Sequence, residues 1–286
     1  MGAQSVYLGL HCQRHYFGGS RKPFAITVAG QRIYVVTAPQ DVSSIYRNTT
    51  TLTFEEFVQD LMRSVGASEE GISKMYDCPK IDESSNLKTE KSNTLHKPMA
   101  HSVEDFYRQQ LHPGALFDGL WTRIQDLMNT ALQWDNISSN CVLSTTGTTK
   151  TLSLLEWCRA AVLPSATTAV WGERLLQLQP NLMETFVTFD NESWKLTYKL
   201  PRFMAKEVHD AKDEIRATFE KYLALPIHQR RGEAWFIRNL ETKLRELGIR
   251  ESDIAAMLVP PIWVYVLQCP LVAFKTTELV SPTIES

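Results

Sequence analysis

Residues 23–48 read PFAITVAGQRIYVVTAPQDVSSIYRN, and they set the frame for the rest of the chain. Phe24, Ile26 and Val28 alternate with Ala25 and Thr27, and Ile33, Val35 and Thr37 alternate with Tyr34 and Val36. Ala29-Gly30-Gln31 stands between the two runs as a turn. Period-two patterning, β-branched side chains and a reversal glycine predict a β-hairpin. A helix start follows directly. Thr37 or its neighbour serves as N-cap, Pro39 suits the first helical turn, and Asp41 favours the positive helix end. The opening unit is therefore strand, turn, strand, helix.

Downstream the periodicity becomes helical. Phe54, Phe57, Val58, Leu61, Met62 and Val65 recur at helix spacing, with Thr53 and Glu56 as a capping box and Gly66 as the stop. Residues 67–76 predict a short helix. Cys78 to Ser102 is polar and aperiodic and reads as a long surface loop. Val103 to Gln110 is helical, and His112-Pro113-Gly114 interrupts it before an amphipathic helix bearing Leu116, Leu120, Ile124, Leu127 and Ala131 on one face. The Ser/Thr-rich stretch 136–151 reads as irregular.

Ser153 and Glu156 cap a helix from Leu154 to Trp171, which Pro164 kinks or divides. Pro180 opens another, ending near Asp190-Asn191, and Trp194, Leu196 and Tyr198 suggest a short extended piece. Charged amphipathic helices follow at Lys206–Leu223 and Glu233–Leu247, and Ser252 caps a further one through Leu258. About nine or ten helices against one early hairpin make the fold class mainly α with a small β-sheet.

The bulk numbers bound the function. The chain has 286 residues, 43% hydrophobic and 22% charged, long enough for a sizeable core. A net charge of −2 argues against a general nucleic-acid binder, which would carry a basic stripe. The five cysteines, Cys12, Cys78, Cys141, Cys158 and Cys269, are odd in number and irregular in spacing, with no C-x-x-C. They form neither a disulfide framework nor a zinc ribbon, and a reducing compartment follows. His11, Cys12 and His15 are closely spaced donors without a fourth ligand, so no metal site is expected. The first residues read as neither signal peptide nor membrane anchor. Ile254 to Phe274 carries no charge, but three prolines and Gln268 favour a buried core helix over a membrane span.

Motifs for chemistry are sparse. There is no G-x-S-x-G and no G-x-G-x-x-G. Gly147-Thr148-Thr149-Lys150-Thr151 lacks the glycines that let backbone N–H groups approach a phosphate. His112, beside Arg108 at the helix break, is either a locally satisfied turn histidine or half of a joint anion contact.

Six segments, in order, resemble the amino-terminal part of a cytochrome P450, with the fungal members similar to prostacyclin synthase and cholesterol 7α-hydroxylase nearest in look. They are YFGGSRKPFAITVAGQRIYVVTAPQDVSSIYRN, TLTFEEFVQDLMRSVG, FYRQQLHPG, LSLLEWCRAAVLPSATTAVWGERLL, FVTFDNESWKLTYKLP and ESDIAAML. The resemblance runs from Tyr16 to Leu258 and implies a partial P450 fold, from the first sheet and B helix to the start of the I helix. It implies haem as cofactor, with Arg108 and His112 on its propionate side, and monooxygenation of an apolar substrate (sterol, terpenoid or polyketide, as in secondary metabolism). It also implies a reductase partner and a place in the cytoplasm or on the cytosolic face of the endoplasmic reticulum, with membrane association but no amino-terminal anchor.

The family's axial cysteine has Gly two residues after it, and its thiolate pushes electron density toward O–O cleavage. Here those positions hold Arg14, Lys80, Leu143, Ala160 and Leu271. Glu156-Trp157-Cys158-Arg159 spells E-x-x-R, but it precedes the expected I helix instead of following it. The expectation is a truncated P450-like domain, residues 1–258, with a divergent tail, residues 259–286. It would bind no haem stably and have no catalytic residues or metal ligand of its own. The alternative is a lipid- or partner-binding helical module without haem.

Overall fold

The first strand pair of the computed structural model is the hairpin that the alternation predicts. The structure describes residues 15, 18, 20–28, 30–48, 50–77 and 98–262. Strand β1 (Phe24–Val28) pairs antiparallel with β2 (Gln31–Val35), with Phe24 opposite Val35 and Ile26 opposite Ile33. Gly30 turns the chain at φ +82°, a conformation that glycine adopts without a Cβ penalty. The ladder ends at Val35, short of Thr37, and Ala38 is the N-cap of helix α1 (Pro39–Arg47). This helix buries no residue, and of the hairpin before it Phe24 is buried.

Helix α2 (Glu55–Ser64) starts without the expected box: Phe54 is the N-cap, and the Thr53 hydroxyl accepts from the Glu55 N–H at 3.1 Å. Gly66, at φ +99°, follows its end. Helix α3 (Glu69–Tyr76) is capped by Ser68, whose Oγ accepts from the Gly71 N–H. Most of the polar stretch from Cys78 to Ser102 lies outside the described residues; description resumes at Pro98, the N-cap of helix α4 (Met99–Leu111), which therefore starts at Met99 and not Val103. His112-Pro113-Gly114 breaks it from α5 (Ala115–Ala131), as the sequence indicates.

The stretch expected to be irregular contains a second hairpin, β3 (Val142–Thr146) with β4 (Thr149–Leu152), turned at Gly147 (φ +53°). Strand β3 is exposed from Leu143 to Thr146, and β4 alternates exposed Thr149 and Thr151 with half-buried Lys150 and Leu152, so β-branched residues are present without a clear apolar alternation. Helix α6 (Leu154–Trp157) continues through a π-helical turn (Cys158–Val162) into α7 (Leu163–Trp171). Pro164 has no N–H to give to the ladder, and the wider turn just before it absorbs the lost bond without ending the helix.

Helices α8 (Glu173–Leu178) and α9 (Leu182–Glu192) follow. Trp194–Thr197 is a short helix, α10, and not an extended piece. Trp194 and Tyr198 lie one helical turn apart with ring centroids 6.3 Å apart, and Leu196 is buried; the apparent period of two is one turn sampled at alternate residues.

Helix α11 (Lys206–Leu223) is the central rod. Val208, Ala211, Ile215, Thr218, Phe219 and Tyr222, at helical spacing, are all buried. It packs against α9 on one side and α13 (Glu251–Met257) on another, while α12 (Trp235–Glu246) packs on α4 and α5 on α7. The N-cap of α13 is Arg250, so Ser252 lies within its first turn instead of capping it. A last turn, α14 (Val259–Ile262), continues into the same core. Residues 254–260 and 262 are buried, which explains why that run lacks charge; residues 263–274 lie outside the described part. Among the described residues no helix is long and apolar enough to cross a membrane. Among the described residues the architecture is mainly α, with two small antiparallel hairpins.

Candidate functional site

A cleft of about 410 Å³ opens between α2 and the turn joining α10 to α11. Phe57 and Leu61 from α2, with Leu196 and Leu200 from the facing side, give it an apolar lining. Asp60 and Arg63 on α2, with Lys199 and His209 opposite, supply its charged and titratable groups. Asp60 Oδ1 accepts from Arg63 at 2.9 Å, and Arg63 also reaches Glu69 at 2.7 Å. These acids hold the Arg63 guanidinium above its ordinary pKa, and Arg63 in turn keeps the Glu69 carboxyl below the usual carboxylate range. Lys199 Nζ stands 3.7 Å from Asp60 Oδ2 across the cleft. His209 donates from Nε2 to Leu200 O at 3.1 Å, tying the turn to α11. A volume of this size suits a small apolar ligand, and the polar groups along the cleft can fix its orientation.

A second concentration of polar groups is buried where the end of α7 crosses the start of α12. Arg230 Nη1 bonds Glu233 at 3.0 Å and Glu241 at 2.7 Å, and Nη2 bonds Glu241 at 2.9 Å. Burial alone would lower the Arg230 pKa, but the carboxylates of Glu241 and Glu233 outweigh it and raise it. Tyr222 Oη stands 2.5 Å from Trp171 O and 2.7 Å from Glu233 Oε1. Burial first, and the Glu233 charge second, push the phenol far above its ordinary range, so it remains a hydrogen-bond donor. Gly172 makes the crossing possible: at φ +75° a Cβ there would meet Arg231 O at 2.3 Å. Glu233 Oε1 and both Glu241 oxygens answer a cation or a hydroxyl, while Glu233 Oε2 and Arg230 Nε are buried without a hydrogen-bond partner; the paired groups tie α7, α11 and α12 together, which is a structural role.

The two residues singled out from the sequence lie together at the α4–α5 break. Arg108 sits on the last turn of α4, and the His112 N–H donates to Arg108 O at 2.8 Å. The Arg108 guanidinium is 71% exposed and bonds Glu104 at 2.6 Å, with Asp105 at 4.0 Å. His112 Nδ1 donates to Pro113 O at 3.1 Å. An anion reaching Arg108 would therefore compete with Glu104, and the locally satisfied turn histidine is the arrangement seen at His112.

In the family that the resemblance names, haem iron is held by an axial cysteine thiolate. Cys141 is fully buried and donates its S–H to Ser138 O at 2.9 Å. Cys158 is buried on the π-helical turn, and burial pushes its thiol up, away from the thiolate. Neither fits an iron ligand; Cys12, Cys78 and Cys269 lie outside the described residues. Among the described residues no three His, Cys, Asp or Glu side chains gather as a metal site, and His15, described without its neighbours His11 and Cys12, is exposed.

Sequence reasoning did not find Asp60, Lys199 or His209. They come from three separate elements, and no spacing links them. The Arg230 network was equally hidden, apart from the i, i+3 placement of Arg230 and Glu233. Searches against protein-family models and against curated proteins return no match for this chain.

Proposed function

We propose that the chain is a cytochrome P450-like helical domain, residues 1–258 corresponding to the family's amino-terminal part, that receives an apolar small molecule without itself carrying out haem-thiolate oxygenation. The observation that carries the reading is the order of elements. The opening hairpin runs into α1, α4 and α5 are joined at FYRQQLHPG, and the long α11, buried along one face, leads through α12 to α13, which opens with Glu251 and Asp253 and continues into the buried run from Ile254. The apolar cleft beside α10 supports a ligand-receiving role. The states of Cys141 and Cys158, and the lack of a Cys-x-Gly sequence, support the absence of thiolate chemistry in this chain. The family's reductase partner and its place at the cytosolic face of the endoplasmic reticulum belong to the same proposal.

Purified protein supplied with haem, reduced and exposed to carbon monoxide, tests it. The expected result is no absorbance band of a thiolate-ligated ferrous haem, together with retention of an apolar probe such as a sterol. A clear thiolate band would overturn the inactivity. Failure to retain any apolar probe would remove the ligand-receiving role. Probe retention alone also fits the second reading, a lipid-binding helical module without haem, which the cleft favours as much as it favours the first.

A further inference from the structure

Lys199 is, among the described residues, the non-glycine residue with positive φ, at +55°. The reason for that conformation is local. The Lys199 N–H donates to Leu196 O at 2.9 Å, and the Leu200 N–H donates to Lys195 O at 2.9 Å. This paired pattern closes α10 in a Schellman motif, whose left-handed position is usually glycine. A lysine there adopts a conformation that its Cβ disfavours, and such outliers gather where a side chain is needed.

That side chain borders the cleft, 67% exposed and 3.7 Å from Asp60. An exposed contact of this length contributes little and breaks easily. Asp60 does not depend on it, because Arg63 bonds Asp60 at 2.9 Å. We propose that Lys199 is the specificity-determining residue of the cleft, and that the ligand is an amphipathic carboxylate. Its apolar body lies on Phe57, Leu61 and Leu196, and its carboxylate draws Lys199 Nζ away from Asp60. The charges balance: Asp60 keeps Arg63, and the ligand anion takes the ammonium. The inference rests on the apolar-ligand reading above and adds the charged head group to it.

Binding of a dansylated undecanoic acid and of its methyl ester, followed by fluorescence on the purified chain, tests the assignment. The wild-type protein should bind the acid roughly two- to fivefold more tightly than the ester, the scale of an ion pair made by an exposed ammonium. Lys199→Gly should abolish that preference, leave ester affinity within about twofold, and melt no lower than wild type, because glycine suits the left-handed position. Lys199→Arg should keep the preference. Should Lys199→Gly fail to fold, the left-handed argument is overturned; Lys199→Asn, which also tolerates that region, then decides the binding question. Equal binding of acid and ester by the wild type overturns the head-group assignment and leaves the apolar-ligand reading standing. Binding of neither probe overturns both.

Discussion

Replacing Arg230 by methionine removes the one cation that both buried carboxylates share. Glu241 would keep Arg245 Nε at 2.9 Å. Glu233, whose side chain is fully buried, would keep Tyr222 Oη at 2.7 Å and only a distant Arg238, 3.6 Å from its Oε2 and too far for a hydrogen bond. The cost is therefore set by stranding Glu233. Removing one partner of a buried pair costs about 3–5 kcal/mol. The Arg230 guanidinium also lies 5.1 Å from the Tyr222 ring centroid, which adds about 0.5–2 kcal/mol when desolvated. Total stability of a domain is about 5–15 kcal/mol, so Arg230→Met should consume a large share of it. Urea unfolding followed by circular dichroism reads the difference from the midpoint and slope. Adding Glu233→Gln to Arg230→Met should recover roughly 1–3 kcal/mol, since the uncompensated charge goes with it. A loss under about 1 kcal/mol for Arg230→Met, with no recovery in the double variant, would refute the reasoning: water would then be reaching these carboxylates.

Three further outcomes follow from other contacts. Gly172→Ala should cost at least about 2 kcal/mol, because the added Cβ would meet Arg231 O at 2.3 Å in a left-handed backbone; thermal melting checks it, and an unchanged midpoint would mean that the α7–α12 crossing opens freely. Asp253→Ala should cost about 2–3 kcal/mol: its carboxylate accepts both the N–H and the O–H of Ser68 at 2.8 Å and so fixes the start of α3, and hydrogen exchange should rise in Glu69–Tyr76 ahead of the rest. Cys158 should resist iodoacetamide in the folded state at neutral pH and react on unfolding. Its folded pKa is raised, so its contribution to stability is present below the unfolded thiol pKa and is lost as pH rises through the folded one; mass spectrometry after pulse alkylation across that range checks it.

What could be read from the sequence depended on whether burial left a periodic trace. Helix α11 was legible from Lys206 to Leu223 because its buried residues fall at helical spacing beneath a charged outer face. The first hairpin was legible because Phe24, Ile26 and Ile33 alternate with exposed neighbours. The second hairpin left no such trace: Leu143 through Thr146 face solvent, and only the Thr and Val content and Gly147 hinted at strands. Caps were less legible than rods. Ser68 and Ser153 cap as their chemistry allows, but Thr53 and Ser252 do not, because Phe54 and Arg250 take the N-cap positions beside them.

The candidate site was hidden for a different reason. At the end of α10 the rule of glycine in the left-handed position fails, so the residue that matters most for the cleft gives no turn signal at all. Trp194, Leu196 and Tyr198 instead suggested a strand, which would have placed Lys199 on an extended edge, away from any cleft. The helical turn reverses that geometry. It buries Leu196, sets Trp194 edge-on to Tyr198, and sends the chain back through Leu200, whose carbonyl His209 holds from α11. Lys199 and Asp60 are brought face to face only because that short helix forms and ends where it does. Its end is therefore the structural basis of the proposed specificity, and exchanging lysine for glycine there separates the shape of the turn from the charge that it carries.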